Sequence, residues 1–495
     1  MPANASDRGC EAEHLRPGTR RTPAALLHAG CLLASTVVDF EAAGGVPFDN
    51  SLSVAWRNGG LLNRTLAALR PGDTLRFPRN KTFHTMGGIV AKGLADVTID
   101  FSGRLVFSND IDSWPKRSDG RVLEALTFDN FERVTFTSTS GEGLLDGQGP
   151  AWWGLPGIGY LQRQENRPRL FVVGKGRDIL VENITFRDPA YWTFWAHGVD
   201  GLVVRYSSIS ARRGRRGRQG LAHPGRPRAA ASLDASVGDD AHSLTELTAF
   251  NTDGFDVSGR NVHIHDCDVW TQDDTIAVKD DSQDMLFERI TASGVGLTIG
   301  SIGASLVRNI TFRDCRMPNT VKGIYMKFRG DGGTIQDVTY ENIAIDAPSW
   351  WPIWIGPAQQ SDSNDLCAAH PCSLCWPDAP FATCKAGAST FRNVLLRNVT
   401  INGPRGSPGV LLGHATARME NVTFEDVVVN NPALLDTDYH TCEGVGSGVA
   451  TGTTRPVPAC FEDQTTRSQK AGADATRRSR LRRMFIGHRR YNRRV

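Results

Sequence analysis

Short β-branched runs recur in this chain every 23 to 28 residues, and that period limits the fold more tightly than any other feature. The runs share an Asn or Asp opening: Asn183-Ile-Thr-Phe186, Asn309-Ile-Thr-Phe312, Asp337-Val-Thr-Tyr340, Asn393-Val-Leu-Leu396 and Asn421-Val-Thr-Phe424. Positions 309 and 337 are 28 residues apart, as are 393 and 421, and the gap between 337 and 393 is twice that. Asn261-Val-His-Ile264 and Asp284-Met-Leu-Phe287 lie 23 apart, with 25 more to Asn309. Such a period marks a solenoid. Alternating apolar residues over four to six positions, followed by Gly, Asn or Asp, read as strand and turn, and apolar spacing at 3.6 residues is too brief for repeated helices. The expectation is an all-β chain, a right-handed parallel β-helix in which each coil pairs with the coils above and below at about 4.8 Å. Asn at matched positions would stack as an amide ladder.

One elongated solenoid can absorb most of the 495 residues without dividing into domains. The reading places the β-helix over residues 39–463, a leader over 1–38 and a disordered basic tail over 464–495. Within the leader, Arg20-Arg21 precede apolar residues 24–27 and 31–34, in the order of a secretory signal. Residues 210–243, rich in Ala, Arg, Gly and Pro, break the repeat as a low-complexity insertion. The formal charge of +3 conceals an uneven distribution. Seven arginines fall between Arg212 and Arg228 and nine between Arg477 and Arg494, so the remaining body is acidic. An acidic body argues against nucleic acid as a partner. No run of about 18 apolar residues offers a membrane span. A monomer is expected.

Ten cysteines are present, and four of them, Cys367, Cys372, Cys375 and Cys384, crowd into a loop at 361–388. Local disulfides there, and between Cys442 and Cys460, fit a secreted, extracellular chain; a four-thiolate zinc site is the rival reading. Cys267 and Cys315 each lie six residues after a repeat opening, at Asn261 and Asn309. They therefore sit two coils apart, too far for a disulfide, and are expected as buried free thiols. Seven Asn-x-Ser/Thr triplets, among them Asn63, Asn80 and Asn398, are compatible with secretion.

Two acidic motifs carry the chemistry. Asn251-Thr252-Asp253-Gly254-Phe255-Asp256 and Gln272-Asp273-Asp274 are separated by close to one coil, which brings Asp253 beside the Asp273-Asp274 pair. Crowded carboxylates raise one another's pKa, so one stays protonated as a general acid while another remains ionised as a base, the pairing that glycoside hydrolysis requires. A calcium site and Asp-capped turns are the alternatives from the residues alone.

These motifs resemble glycoside hydrolase family 28, the polygalacturonases and their relatives, whose pectin-lyase-like β-helix carries Asn-Thr-Asp, Gly/Gln-Asp-Asp, Gly-His-Gly and Arg-Ile-Lys in that order. The resemblance runs from about residue 39 to 463. It implies a metal-independent, cofactor-free hydrolase of a pectin-like cell-wall polysaccharide. Asp273 would protonate the departing oxygen while Asp253 and Asp274 activate a water, with inversion at the anomeric carbon and an acid-to-base separation of about 6.5–9.5 Å. Asn251 and Gln272 join the substrate-binding set by the same resemblance.

The third and fourth motifs depart from the family. Val295 replaces the histidine, and none of His263, His265 and His414 is assigned in its place. Tyr325 replaces the arginine while Lys327 is kept, so a bidentate carboxylate partner is lost and a different sugar, gripped by Tyr325 and Lys327, is expected. A solvated surface role is the alternative for Lys327. Trp350, Trp351 and Trp354 follow one coil later, with Trp354 either a sugar platform or core packing. A carbohydrate-binding β-helix weakened in catalysis, and a polysaccharide lyase on the same fold, stand as the other functional readings.

Overall fold

A computed structural model describes residues 35–153, 166–212, 242, 249–360, 367, 371–377, 379, 382–432 and 440–463. The leader up to residue 34, the tail from 464, most of the 210–243 insertion and parts of the 361–388 loop lie outside the described residues. The described strands form a right-handed parallel β-helix.

The repeat opening has a local cause. Asn309, Asp337, Asn393 and Asn421 all adopt left-handed backbone, with φ of 54°, 57°, 51° and 53°. Asn and Asp tolerate that region better than other side chains, so each coil turns where one of them stands. Their side chains then bond from coil to coil: Asn393 Nδ2 donates to Asp337 at 2.7 Å, and Asn421 Nδ2 to Asn393 at 2.9 Å. Inside the coil, Phe287, Phe312 and Tyr340 stack with centroids 4.7 Å apart at each step, close to the coil rise. Cys267 and Cys315 are free and buried, and burial pushes both thiols up to about 12.

One parallel ladder runs through the site. Its strands are β1 (Leu126–Asp129), β2 (Phe171–Gly174), β3 (Phe194–Arg205), β4 (Phe255–Trp270), β5 (Ile276–Val278), β6 (Leu297–Ile302), β7 (Ile324–Phe328), β8 (Ile353–Pro357), β9 (Gly409–Leu412) and β10 (His440–Glu443). Each pairs in parallel with the next. Phe171, Phe194, Phe255, Ile276, Leu297, Ile324 and Ile353 form one inward row of this ladder, all buried. The adjoining outward row reads Val172, Trp195, Asp256, Ala277, Thr298, Tyr325, Trp354 and Val410. Phe194 pairs directly with Phe255, so the long interval holding residues 210–243 is spent within a single coil.

A helix, α1 (Leu52–Ala68), lies at the first coils and buries Ala55, Leu62 and Leu66. The sequence pattern did not mark it, because its apolar stripe is broken by Gly59 and Gly60. Gly59 lets the helix pack closely, since a Cβ there would come within 3.1 Å of the Met86 carbonyl and push it back. The cysteine loop pairs as Cys367–Cys375 and Cys372–Cys384, and Cys442 pairs with Cys460. The disulfide reading therefore stands, and the zinc reading falls because its four thiolates are consumed. No described helix is long and apolar enough to cross a membrane.

Candidate active site

Asp253 stands just before β4 and Asp273-Asp274 just before β5, where the chain enters the ladder. The Gly254 N–H donates to the Asp274 carbonyl at 2.9 Å, which sets the two motifs on adjacent coils. Asp253, Asp273 and Asp274 each bring an oxygen within 4.8 Å of the other two. That is shorter than the 6.5–9.5 Å expected between acid and base. The two motifs stand on adjacent coils, whose backbones are only one strand spacing apart.

The three are not equivalent. Asp253 and Asp274 are buried, at 3% and 1% exposure, while Asp273 is partly open. Asp274 has both oxygens engaged, Oδ2 with Lys327 Nζ at 2.7 Å and Oδ1 with the Thr298 hydroxyl at 2.9 Å. Asp273 accepts from the backbone N–H of Asn251 at 2.7 Å and of Asp274 at 2.9 Å. Asp253 Oδ1 is buried and has no hydrogen-bond partner among the described residues. Burial, with Asp256 and Asp273 beside it, lifts the Asp253 carboxyl well above the ordinary range; burial and Asp274 lift Asp273 as well. Closely spaced carboxyls of this kind share protons as a group.

Cations hem the cluster in. Lys279 Nζ lies 2.7 Å from Asp256 and 3.8 Å from Asp253. Burial works against its charge, but the surrounding carboxylates outweigh it and raise its pKa. Burial opposes the charge of Lys327 too, and Asp274 overcomes it. Lys327 is thus half of a part-buried ion pair, its side chain 12% exposed, and not a solvated surface residue. Two ammonium groups beside three carboxylates weigh against calcium, which needs six to eight oxygen ligands free to converge.

Several positions expected to touch substrate are interior. Trp354 is fully buried and Tyr325 is 1% exposed; together with Trp351, Val410 and Leu412 they form an apolar cluster. Trp354 Nε1 donates to the Pro357 carbonyl and the Tyr325 hydroxyl accepts from the Gln359 N–H, so both polar ends are satisfied inside. Neither ring leaves a face for a sugar, which corrects the stacking expectation in favour of packing. Val295 packs against the same cluster, so the two departures from the family pattern, at 295 and 325, are one change of environment. Gln272 is also interior. Its side chain accepts from the Ala249 N–H and donates to the Ala211 carbonyl, both at 3.0 Å, clamping the borders of the insertion. His263 and His265 pair with Glu288 and Asp266, and His414 caps a turn at Thr416, so none is engaged at the cluster.

Other residues escaped the sequence reading. Arg167, 2% exposed, donates to the Ala190 and Phe250 carbonyls and to Asn251 Oδ1, each at 3.0 Å, and so holds the turn that carries Asp253. Lys322 is buried with its Nζ 4.0 Å from the Tyr325 ring centroid and 5.2 Å from that of Trp354. Burial, with Lys327 nearby, pushes its pKa well down. On the other side of the carboxylates, Trp192 and Trp195 are half-buried and share the Arg169 guanidinium, 4.4 Å from each ring. No local motif announces these groups; their roles arise from register between distant coils.

The family model for glycosyl hydrolases family 28 matches residues 74–451, more than half of the chain. This chain belongs to glycosyl hydrolase family 28. An endopolygalacturonase of Emericella nidulans is 26% identical over 359 residues, 71% of this chain and 77% of that protein. The endo-xylogalacturonan hydrolase A of Aspergillus tubingensis is 22% identical over 439 residues, 87% of this chain and 94% of that protein. The crystal structure of the endo-xylogalacturonan hydrolase from Aspergillus tubingensis superposes with a TM-score of 0.59 at 17% identity, over 86% of this chain and 99% of that one. As a family 28 member the chain is a glycosidase, and the fold it shares with that structure is the parallel β-helix described above.

Proposed function

We propose that this family 28 hydrolase cleaves a pectin-like cell-wall polysaccharide outside the cell, with Asp273 as general acid and a water activated by Asp253 and Asp274. Asp273 is the least buried member of the cluster, which suits it to meet a glycosidic oxygen. The observation that carries the water's place is the buried Asp253 Oδ1, without a partner among the described residues. An acceptor of that kind is costly to bury and calls for a hydroxyl donor. Asp253 lies too deep to reach an anomeric carbon itself, while a water bridging it and Asp274 can. Lys327 Nζ, 2.7 Å from Asp274 Oδ2, holds that carboxyl in place for the task. Asn251 and Arg167 act as positioning residues, through the backbone bond from Asn251 to Asp273. The reaction draws its catalytic groups from the chain alone and needs no metal.

The test is incubation with a panel of pectic polysaccharides, with and without chelator, while reducing ends and unsaturated-uronate absorbance are followed. New reducing ends without absorbance, insensitive to chelator, are expected. Asp273→Asn should lower the rate by about 10²- to 10⁴-fold with folding unchanged. Binding without cleavage on every glycan would reduce the protein to a carbohydrate-binding β-helix. Absorbance that chelator abolishes would indicate a lyase.

A further inference from the structure

Asn-x-Ser/Thr triplets begin at Asn4, Asn63, Asn80, Asn183, Asn309, Asn398 and Asn421, and the fold sorts them. Asn4 lies outside the described residues. Asn309, Asn398 and Asn421 donate through Nδ2 to Asp284, Asn342 and Asn393 at 2.6, 2.8 and 2.9 Å, within the coil-to-coil ladder. Asn63 Nδ2 donates to the Gly88 carbonyl at 3.3 Å, and its Oδ1 accepts from the Val90 N–H at 2.8 Å. A sugar on any of the three ladder nitrogens would begin inside a stack whose neighbour lies about 4.8 Å away, and one on Asn63, which lies on α1, would displace its bond to Gly88. Asn183 is half-buried at a one-residue bend between two strands.

Asn80 differs in combining two features: it is exposed, as Asn309, Asn398 and Asn421 are, and its side chain makes no hydrogen bond among the described residues, whereas theirs do. Beside it stands Phe48, 63% exposed, whose N–H donates to the Thr82 carbonyl at 2.7 Å. Phe48 itself sits at φ 65°, a conformation that costs a bulky residue energy, and its exposed ring has Lys81 Nζ 5.6 Å from the centroid. Phe48, Asn80, Thr82, Ser102 and Glu142 line a cavity of about 210 Å³. An aromatic ring beside a hollow with hydroxyl and carboxylate groups suits the apolar face and polar rim of a pyranose.

We propose that Asn80 is an N-glycosylation acceptor and that the first N-acetylglucosamine of its glycan seats in this hollow against Phe48. The inference rests on the extracellular route stated above. In the transfer, Asn80 Nδ2 attacks the anomeric carbon of a polyprenyl-diphosphate-linked oligosaccharide. The new N–C bond forms as the C–O bond to the diphosphate breaks, the polyprenyl diphosphate leaves with the electron pair, and the amide proton passes to a base of the transferase. The Thr82 hydroxyl completes the acceptor triplet.

The full chain, secreted from eukaryotic cells, is mapped by glycopeptide mass spectrometry. High occupancy at Asn80 is expected, with the ladder positions 309, 398 and 421 bare. Asn80→Gln and, independently, Thr82→Val should each remove one glycan, while Phe48→Ala should keep the glycan attached but make it more quickly trimmed by endoglycosidase on the folded protein. A bare Asn80 on secreted protein, or glycans confined to the other triplets, overturns the proposal. Unchanged trimming in Phe48→Ala overturns the seat. Reducing-end release by the same samples reports the hydrolase reading separately, since a blank there leaves the glycopeptide result intact.

Discussion

The two sides of the carboxylate cluster use aromatic residues in opposite ways. In the outward row of the ladder, Trp195 stands one coil before Asp256, and Tyr325 and Trp354 stand beyond Thr298. On the later side the rings are buried, their polar ends are satisfied, and Val295 fills in against them. On the earlier side, Trp192 and Trp195 remain half-open around Arg169, which is paired with Glu124 at 2.8 Å. The difference teaches that an outward position in a β-helix is not yet a surface position. The loop that follows β8 covers Tyr325 through Gln359 and Trp376, while no such cover is described over Trp195.

Trp354→Ala probes the buried side hardest. It should cost about 3–5 kcal/mol of stability, seen as a fall in the denaturant midpoint, because a large core side chain leaves a cavity. A variant as stable as the parent, with KM alone raised, would place Trp354 in the cleft after all. Trp195→Ala probes the open side. There KM should rise about tenfold, the scale of one lost aromatic contact, with little change in melting temperature; a large stability loss with KM unchanged would make the two sides alike. The smallest effect is expected from Asp256→Asn. Asp256 lies beside Asp253 and raises its pKa, so removing that charge lowers the Asp253 pKa. Asp253 must be ionised to activate water, so the acid limb of the pH–rate profile should move to lower pH. A shift to higher pH, or none, would remove Asp253 from the role of base.

The repeat and the carboxylate cluster were legible because both are written in short range. Asn309, Asp337, Asn393 and Asn421 announce the turns by residue type and the coils by interval, and Asp253 and Asp273 are one interval apart. The insertion did not hide this, since Phe194 and Phe255 still pair across it. What failed to show depends on which side chains are covered. Tyr325 and Trp354 read as sugar platforms because burial by a cysteine-rich loop has no local signature, and Gln272 read as a ligand because its partners Ala211 and Ala249 lie far away in sequence. Arg167 and Lys279 were passed over for the same reason: a single basic residue acquires its meaning only when register sets it against Asn251 or Asp256.

The cluster's compactness leads to the decisive measurement. An oxygen of each carboxylate lies within 4.8 Å of the others, close to the spacing at which a carboxylate attacks directly and configuration is retained. The depth of Asp253 and the engagement of both Asp274 oxygens argue instead for a bound water as the nucleophile. Proton NMR of the first-formed product, recorded before mutarotation, tests this. Inversion of the anomeric configuration is the predicted result, and retention would contradict the account of how Asp253, Asp273 and Asp274 work.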